Sequence, residues 1–399
     1  MSDQVIPSEE DITQGQLDQA KKLAGILNAT IARAIRQQGA GQELDASKVR
    51  DQARKAYDQL LELLPTAPSS NEPLTSTPLD LMAGYWAHQT ERKEMAATGF
   101  ASLNTALSGG LERDRLYVLL GAPGSGKTTW INQICDHVAN DRAVFYVTSE
   151  NAPLDLLAKT IARRSTIEYN AVRYGWKREQ DKINAAFGEY RQQPQARHIR
   201  YADATQGMIL QDIAEQAEQH FNAVARSTKG DPVIVIDYLQ RLARAEDIHI
   251  RATTSGALGA DARLAATVYT ERLRALACSL HCSVICLSAM SRAGGYSAAA
   301  DRALNAAKES GDIEYTADTI MAIGEQIDNG VPVTLAEPGA FAWTVTLAKN
   351  RQGSTSATGA RIDLAWYPTF QRFIEREEGG QGETVMSLAN GNGNRRRGK

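Results

Sequence analysis

The stretch with the clearest chemistry is GAPGSGKTT, residues 121–129. Gly121, four further residues, then Gly126, Lys127 and Thr128 make the pattern of a phosphate-cradling loop. Gly121, Gly124 and Gly126 let the backbone curl until successive N–H groups point at phosphate oxygens. Ser125 and Thr129 complete the cradle, and a helix N-terminus behind it favours the same negative charge. Lys127 is suited to reach β- and γ-phosphates, and the Thr128 hydroxyl to ligate a metal. Ordinary residue frequencies would produce the string by chance in roughly one chain per hundred of this length. The residues therefore predict a nucleoside triphosphate site, taken as ATP with Mg²⁺.

A second metal-side carboxylate is expected at the end of another buried strand. VIVIDYL supplies Asp237, placed to hold the Mg²⁺ shell through water. Tyr238 follows it, so the residue that orients the attacking water must come from elsewhere. AVFYVTSE puts Glu150 at the C-terminal end of a neighbouring strand, the edge where ligands bind in open α/β sheets. Glu150 is the predicted water-positioning base; its alternative reading is a helix N-terminal carboxylate ahead of Asn151-Ala152-Pro153.

These side chains need a frame. RLYVLL (115–120) leads into the loop as a strand, and TTWINQICDHVA leaves it as a helix. AVFYVTS (143–149), PVIVIDYL (232–239) and SVICLSA (283–289) are short, rich in β-branched residues and separated by longer helical patterns. Strands alternating with helices predict an α/β domain with a mainly parallel twisted sheet flanked by helices. Ahead of it, Leu17, Ala20, Leu23, Leu27, Ile31 and Ala34 recur at helical spacing. A second amphipathic run, from Asp45 to Leu64, stops at Pro65. The expected organisation is a helical hairpin over 1–64, a Pro-rich linker and linker helix over 65–97, the α/β domain over 98–376, and a disordered, basic-ended tail over 377–399.

Composition narrows the partners. The chain has 399 residues with 44 Lys+Arg against 47 Asp+Glu, so it has no general positive coat and any nucleic-acid site must be local. No apolar run approaches the ~20 residues that cross a bilayer, and MSDQVIPSEEDI has no signal-peptide pattern; no membrane partner is expected. Four cysteines make no disulfide framework. Cys278, Cys282 and Cys286 surround His281, but helix RLRALACSL running into strand VICLSA makes burial the better reading than metal ligation. A reducing cytoplasm is expected.

Taken together, TGFASLNTALSGGL (98–111), GAPGSGKTT, YVTSENAPLDLLAKTIAR, VIVIDYLQRL, CLSAMSR, KESGDIEYTAD, LAKNRQG and the segment from Phe370 to Phe373 resemble the ATPase domain of DnaB-type replicative helicases, within the RecA-like P-loop group. The resemblance implies a homo-oligomer, a hexameric ring with ATP sites between subunits. Lys349 and Arg351 match the pair that reaches into a neighbour's site, where an arginine stabilises charge on the transferring phosphoryl group. FAWTVTLAKNR alternates like a strand, so both would face one side; without the resemblance they read as a solvated strand end. Lys308, Glu309, Ser310 and Gly311 match the loop that holds single-stranded DNA, Lys308 giving charge and Gly311 a close backbone approach. A primase or loader protein is the implied partner, and helix 79–95 is expected to pack on the adjacent subunit.

Three departures stand out. Ala289 replaces a Gln thought to sense the γ-phosphate, Lys308 replaces a forked Arg with a point charge, and the region before 98 is short, which bears on primase binding. Arg241, Arg244, Arg251, Arg263, Arg292 and Arg302 read as solvated surface charges. The expected function is an ATP-driven translocase on single-stranded DNA that unwinds duplex in replication. The alternative is a RecA- or KaiC-like regulatory or assembly ATPase, with a strand-exchange recombinase third.

Overall fold

The computed structural model describes residues 95–253, 258, 261–290, 313–328, 331–351 and 358–376. The expected hairpin, nearly all of the linker segment, Lys308–Gly311, Arg292, Arg302 and the tail lie outside the described residues.

The described chain begins with α1 (Ala101–Ala106), β1 (Arg115–Gly121), α2 (Lys127–Val138), β2 (Val144–Thr148) and α3 (Pro153–Ser165). Helices α4 (Tyr169–Tyr174), α5 (Gln180–Arg191) and α6 (Gln195–His198) lead to β3 (Ile199–Asp203), then α7 (Leu210–Val224), β4 (Val233–Asp237), α8 (Leu239–Thr253), α9 (Ala262–Ser279) and β5 (Ser283–Ala289). The last part holds α10 (Ile313–Thr316), β6 (Thr319–Glu325), a small β7–β8 pair (Ile327–Asp328, Val331–Pro332), β9 (Phe341–Asn350), β10 (Arg361–Tyr367) and β11 (Arg372–Glu375).

Among the described residues, one nine-stranded sheet runs in the order β11-β10-β9-β6-β1-β5-β4-β2-β3. From β3 to β6 every pairing is parallel, and β9, β10 and β11 are antiparallel additions. The strands read as unbroken apolar runs because both faces are covered. Successive residues of a strand point to opposite faces, and the two cores divide accordingly. Leu116, Val118, Leu120, Phe145, Val147, Ile234 and Ile236 join the core that includes residues of α7, α8 and α9. Tyr117, Leu119, Val144, Tyr146, Val233 and Val235 join the core that includes residues of α1 and α2. A smaller cluster binds α3 to α4 and α5 through Ile161, Val172 and Ile183.

The predicted strand over 232–239 is shorter than expected. It ends at Asp237, and Leu239 already opens α8. The reason is local: the Asp237 carbonyl accepts from both the backbone N–H (2.7 Å) and the hydroxyl (2.9 Å) of Ser149, after the last strand pairing. The helix-then-strand reading around the cysteines holds. Cys282 and Cys286 are buried, Cys278 is exposed, and Arg274 Nη1 donates to Cys278 Sγ at 2.7 Å. No helix among the described residues is long and apolar enough to cross a membrane.

Candidate active site

The loop between β1 and α2 is shaped by what it cannot accommodate. A Cβ at Gly121 would collide with Ser125 Oγ and sit 2.9 Å from the Ile323 carbonyl oxygen. Gly126 has φ +85°, and a Cβ there would meet the Phe373 ring at 2.8 Å. That ring belongs to β11, which is tied to α2 by two bonds at one place: Gln133 Nε2 donates to Phe373 O (2.8 Å) and Phe373 N to Gln133 Oε1 (2.9 Å). Trp343 adds an indole N–H to Ser125 O at 2.8 Å, and Trp366 stacks on Phe373 at 4.3 Å. Aromatic residues from β9, β10 and β11 therefore back the loop from behind.

Lys127 Nζ donates to the carbonyls of Gly121 and Ala122, each at 2.8 Å, so its ammonium lies beneath the loop. Burial lowers its pKa, opposed by the charges of Asp237 and Glu150. Thr128 Oγ1 donates to Asp237 Oδ2 at 2.9 Å, and Tyr146 OH to the same oxygen at 3.0 Å. Burial raises the Asp237 carboxyl above the usual aspartate range, against the pull of those two hydrogen bonds. A hydroxyl and a carboxylate side by side form the hard oxygen donor set that suits Mg²⁺.

Glu150 is exposed in the turn after β2. That turn is held by Thr148 Oγ1, which donates to Asn151 O (2.7 Å) and accepts from Asn151 N (3.2 Å), and by Ser149 on the Asp237 backbone. Glu150 is not the cap of α3. That helix opens with Ala152 as its N-cap, which makes no side-chain capping bond, has Pro153 in its first turn, and carries Asp155 as its first-turn acid. Glu150 instead acts on the charges of Lys127 and Asp237.

The tertiary structure adds residues that spacing did not single out. Lys159, on α3, donates to Thr129 Oγ1 at 3.1 Å, and Thr129 donates in turn to Gln371 Oε1 at 3.1 Å. Burial lowers the Lys159 pKa while Asp237 raises it, so this is a second ammonium beside the phosphate loop. Gln240 Nε2 donates to Ser288 Oγ at 2.8 Å, and its Oε1 accepts from Ala289 N at 3.4 Å. A glutamine from α8 therefore stands next to Ala289. No short motif marks any of these; only the packing of α3 and α8 does.

Lys349 and Arg351 are not brought to this site. Ile320 pairs with Lys349, and Val118 with Ile320. The Arg351 N–H continues the ladder to Asp318 O, and the Asp318 N–H bonds Leu116 O. The pair is therefore level with the start of β1 while the phosphate loop follows its end, an offset on the order of 10–15 Å along the strand. A β-bulge between Ile320 and Met321 leaves Ala348 unmatched on β6. Both long side chains turn to α10, as the predicted shared face requires. Asp318 anchors this corner, accepting from Leu116 N and Arg274 Nε at 2.9 Å each. Arg241, Arg244, Arg251 and Arg263 are exposed, and Arg251 pairs with Asp247 at 2.7 Å.

A parallel sheet with a glycine-shaped phosphate loop between β1 and α2, a buried aspartate on β4 and added antiparallel strands at one edge defines a RecA-like P-loop domain. Residues 96–375 match the model of the DnaB-like helicase C-terminal domain, and the chain belongs to that family. It is 27% identical over 285 residues to the replicative DNA helicase DnaB of Pasteurella multocida, the match covering 69% of this chain and 54% of that protein. The chain thus spans about half the length of that relative. Among solved structures, the fold is similar to that of an isolated ATPase domain, with a TM-score of 0.58, 20% identity, and coverage of 76% of this chain and 99% of that one. It is also similar to a DnaB-like replicative helicase described with its interactions with primase, with a TM-score of 0.60, 18% identity, and coverage of 91% and 77%.

Proposed function

We propose that the chain is an ATP-hydrolysing DNA helicase that works as a hexameric ring and moves on single-stranded DNA to unwind duplex during replication. The observation that carries this reading is the separation, within a DnaB-like domain, of the phosphate loop from Lys349 and Arg351. Neither can serve its own loop, so a complete site needs a second copy. Lys127 leaves the Gly121 and Ala122 carbonyls for the β/γ-phosphates, and the loop N–H groups hold the rest of the triphosphate. Thr128 and Asp237 would hold Mg²⁺, which supplies charge neutralisation for phosphoryl transfer. Glu150 orients the attacking water, and Lys159 adds positive charge beside Thr129. Lys349 and Arg351 of the adjacent subunit stabilise the transferring phosphoryl group.

Lys308, Glu309, Ser310 and Gly311 are proposed to hold the DNA backbone with little sequence preference. A primase or loader is the proposed protein partner, and the cytoplasm the proposed compartment, in keeping with the thiols of buried Cys135, Cys282 and Cys286 being free. The domain boundaries at 64, 97 and 376 are part of the same proposal.

The test is the steady-state ATPase rate with and without single-stranded DNA, with Lys127→Ala as the blank. Strong stimulation by DNA is the expected result. An unchanged rate together with no DNA binding would replace the helicase with a regulatory ATPase.

A further inference from the structure

The short helix α10 has an end that it cannot satisfy by itself. In a four-residue helix only one i→i+4 bond forms, from Ala317 N to Ile313 O at 3.0 Å. The remaining carbonyls at its C-terminus need other donors. Lys349 Nζ donates to Ala317 O at 2.8 Å and to Glu314 O as well, and Arg351 Nη2 donates to Tyr315 O at 2.6 Å. Three carbonyls that the helix leaves open are thus filled by two cations, at the end where a helix favours positive charge. Asp318 fixes the chain between them by accepting from Leu116 N and Arg274 Nε.

These are the same two side chains that the proposed function assigns to the neighbour's phosphates, and the present inference rests on that assignment. An ammonium held by the Glu314 and Ala317 carbonyls, and a guanidinium by that of Tyr315, cannot at the same time face a phosphoryl group on another subunit. We propose that Lys349 and Arg351 are a two-position switch: they cap α10 within their own subunit when the adjacent nucleotide site is empty, and release it when they engage that nucleotide. Nucleotide bound by one subunit would then loosen α10 of the next. The coupling needs no movement of the sheet, because only two side chains exchange partners. Burial and the neighbouring Arg351 both disfavour the charged form of Lys349, so a phosphate competes for a cation that its resting place does not hold strongly.

Hydrogen–deuterium exchange of the peptide covering residues 313–318, in the full-length protein, reads the cap directly. In the wild type, a non-hydrolysable ATP analogue with Mg²⁺ should speed exchange there by roughly tenfold, the loss of one hydrogen bond to a charged donor. Arg351→Ala and Lys349→Ala should each exchange fast without nucleotide and change little when the analogue is added. Exchange in β1 and β6 serves as the folding control, and Arg351, being exposed, is the variant least able to disturb the core. Unchanged exchange on analogue binding in the wild type, or wild-type protection in both variants, would overturn the switch. The ATPase rate of Arg351→Ala separates the two ideas: a lost rate with unchanged exchange sinks the switch alone, whereas a wild-type rate sinks the assignment in trans.

Discussion

Asp237 shows how a single residue can serve the site at the expense of the fold. Its carboxyl is buried and raised above the ordinary range, so the folded state binds its proton more tightly than the unfolded chain. A carboxyl shifted that way costs stability once the pH lies above its folded pKa, and that cost vanishes as the pH falls and it protonates. Asp237→Asn, which keeps a carbonyl to accept from Thr128 and Tyr146, should therefore raise Tm at pH 7. The gain should shrink on acidification, while Mg²⁺-dependent hydrolysis is lost at every pH. Thermal melts across a pH series, beside an ATPase assay, check both halves. Lys159 makes the second prediction at this scale. Lys159→Ala should lower kcat/KM for ATP by roughly 10²-fold, as for removal of one charge-stabilising donor, with Lys159→Arg recovering most of it. Of the site residues, Lys127, Thr128 and Asp237 were legible because a strand–loop–helix motif and a strand-ending aspartate carry their chemistry locally. Lys159 and Gln240 were not, since a lysine on an amphipathic helix looks like any solvated charge until the helix is docked.

At the scale of elements, what matters is that α3 moves with α2. Asn132, in α2, donates to Leu156 O at 2.8 Å and accepts from Thr160 Oγ1 at 2.8 Å. One turn further along, Asp136 accepts from Arg163 (3.2 Å) and Arg164 (2.8 Å). These bonds set the height of α3, and with it the reach of Lys159 to Thr129. Asn132→Ala leaves the buried Thr160 hydroxyl and the Leu156 carbonyl each one partner short, so it should cost about 1–3 kcal/mol. It should also weaken hydrolysis although Asn132 touches no phosphate. Denaturant melts and ATPase kinetics would show whether the two losses travel together. The strands themselves were readable from their apolar runs. The early end of β4 was not, because it depends on Ser149, which is distant in sequence, taking the Asp237 carbonyl.

For the whole molecule, the sheet register separates the phosphate loop from Lys349 and Arg351, so under the proposed function catalysis becomes a property of the assembly. Arg351→Ala should bind nucleotide normally and lose hydrolysis by roughly 10³-fold or more, the scale of an arginine acting in trans. In mixed oligomers, Arg351→Ala subunits should silence the site of a wild-type neighbour, whereas Lys127→Ala subunits silence their own. Titrating each variant into wild type and following the ATPase rate distinguishes the two patterns, and equal inhibition curves for both would argue against a shared site.

By itself, the sequence determined the fold class, the strand–loop–helix shaped to receive phosphate, and the pairing of Lys349 with Arg351 on one strand face. Each depends on neighbours in the chain: the spacing of glycines, the period of apolar residues, and the alternation of a strand. Only the tertiary structure decided that Lys159 and Gln371 converge on Thr129, that aromatic residues from the last strands close behind Gly126, and that α10 takes the two cations. Those contacts join residues far apart in sequence, and their geometry comes from the order and register of the sheet, which no local pattern encodes.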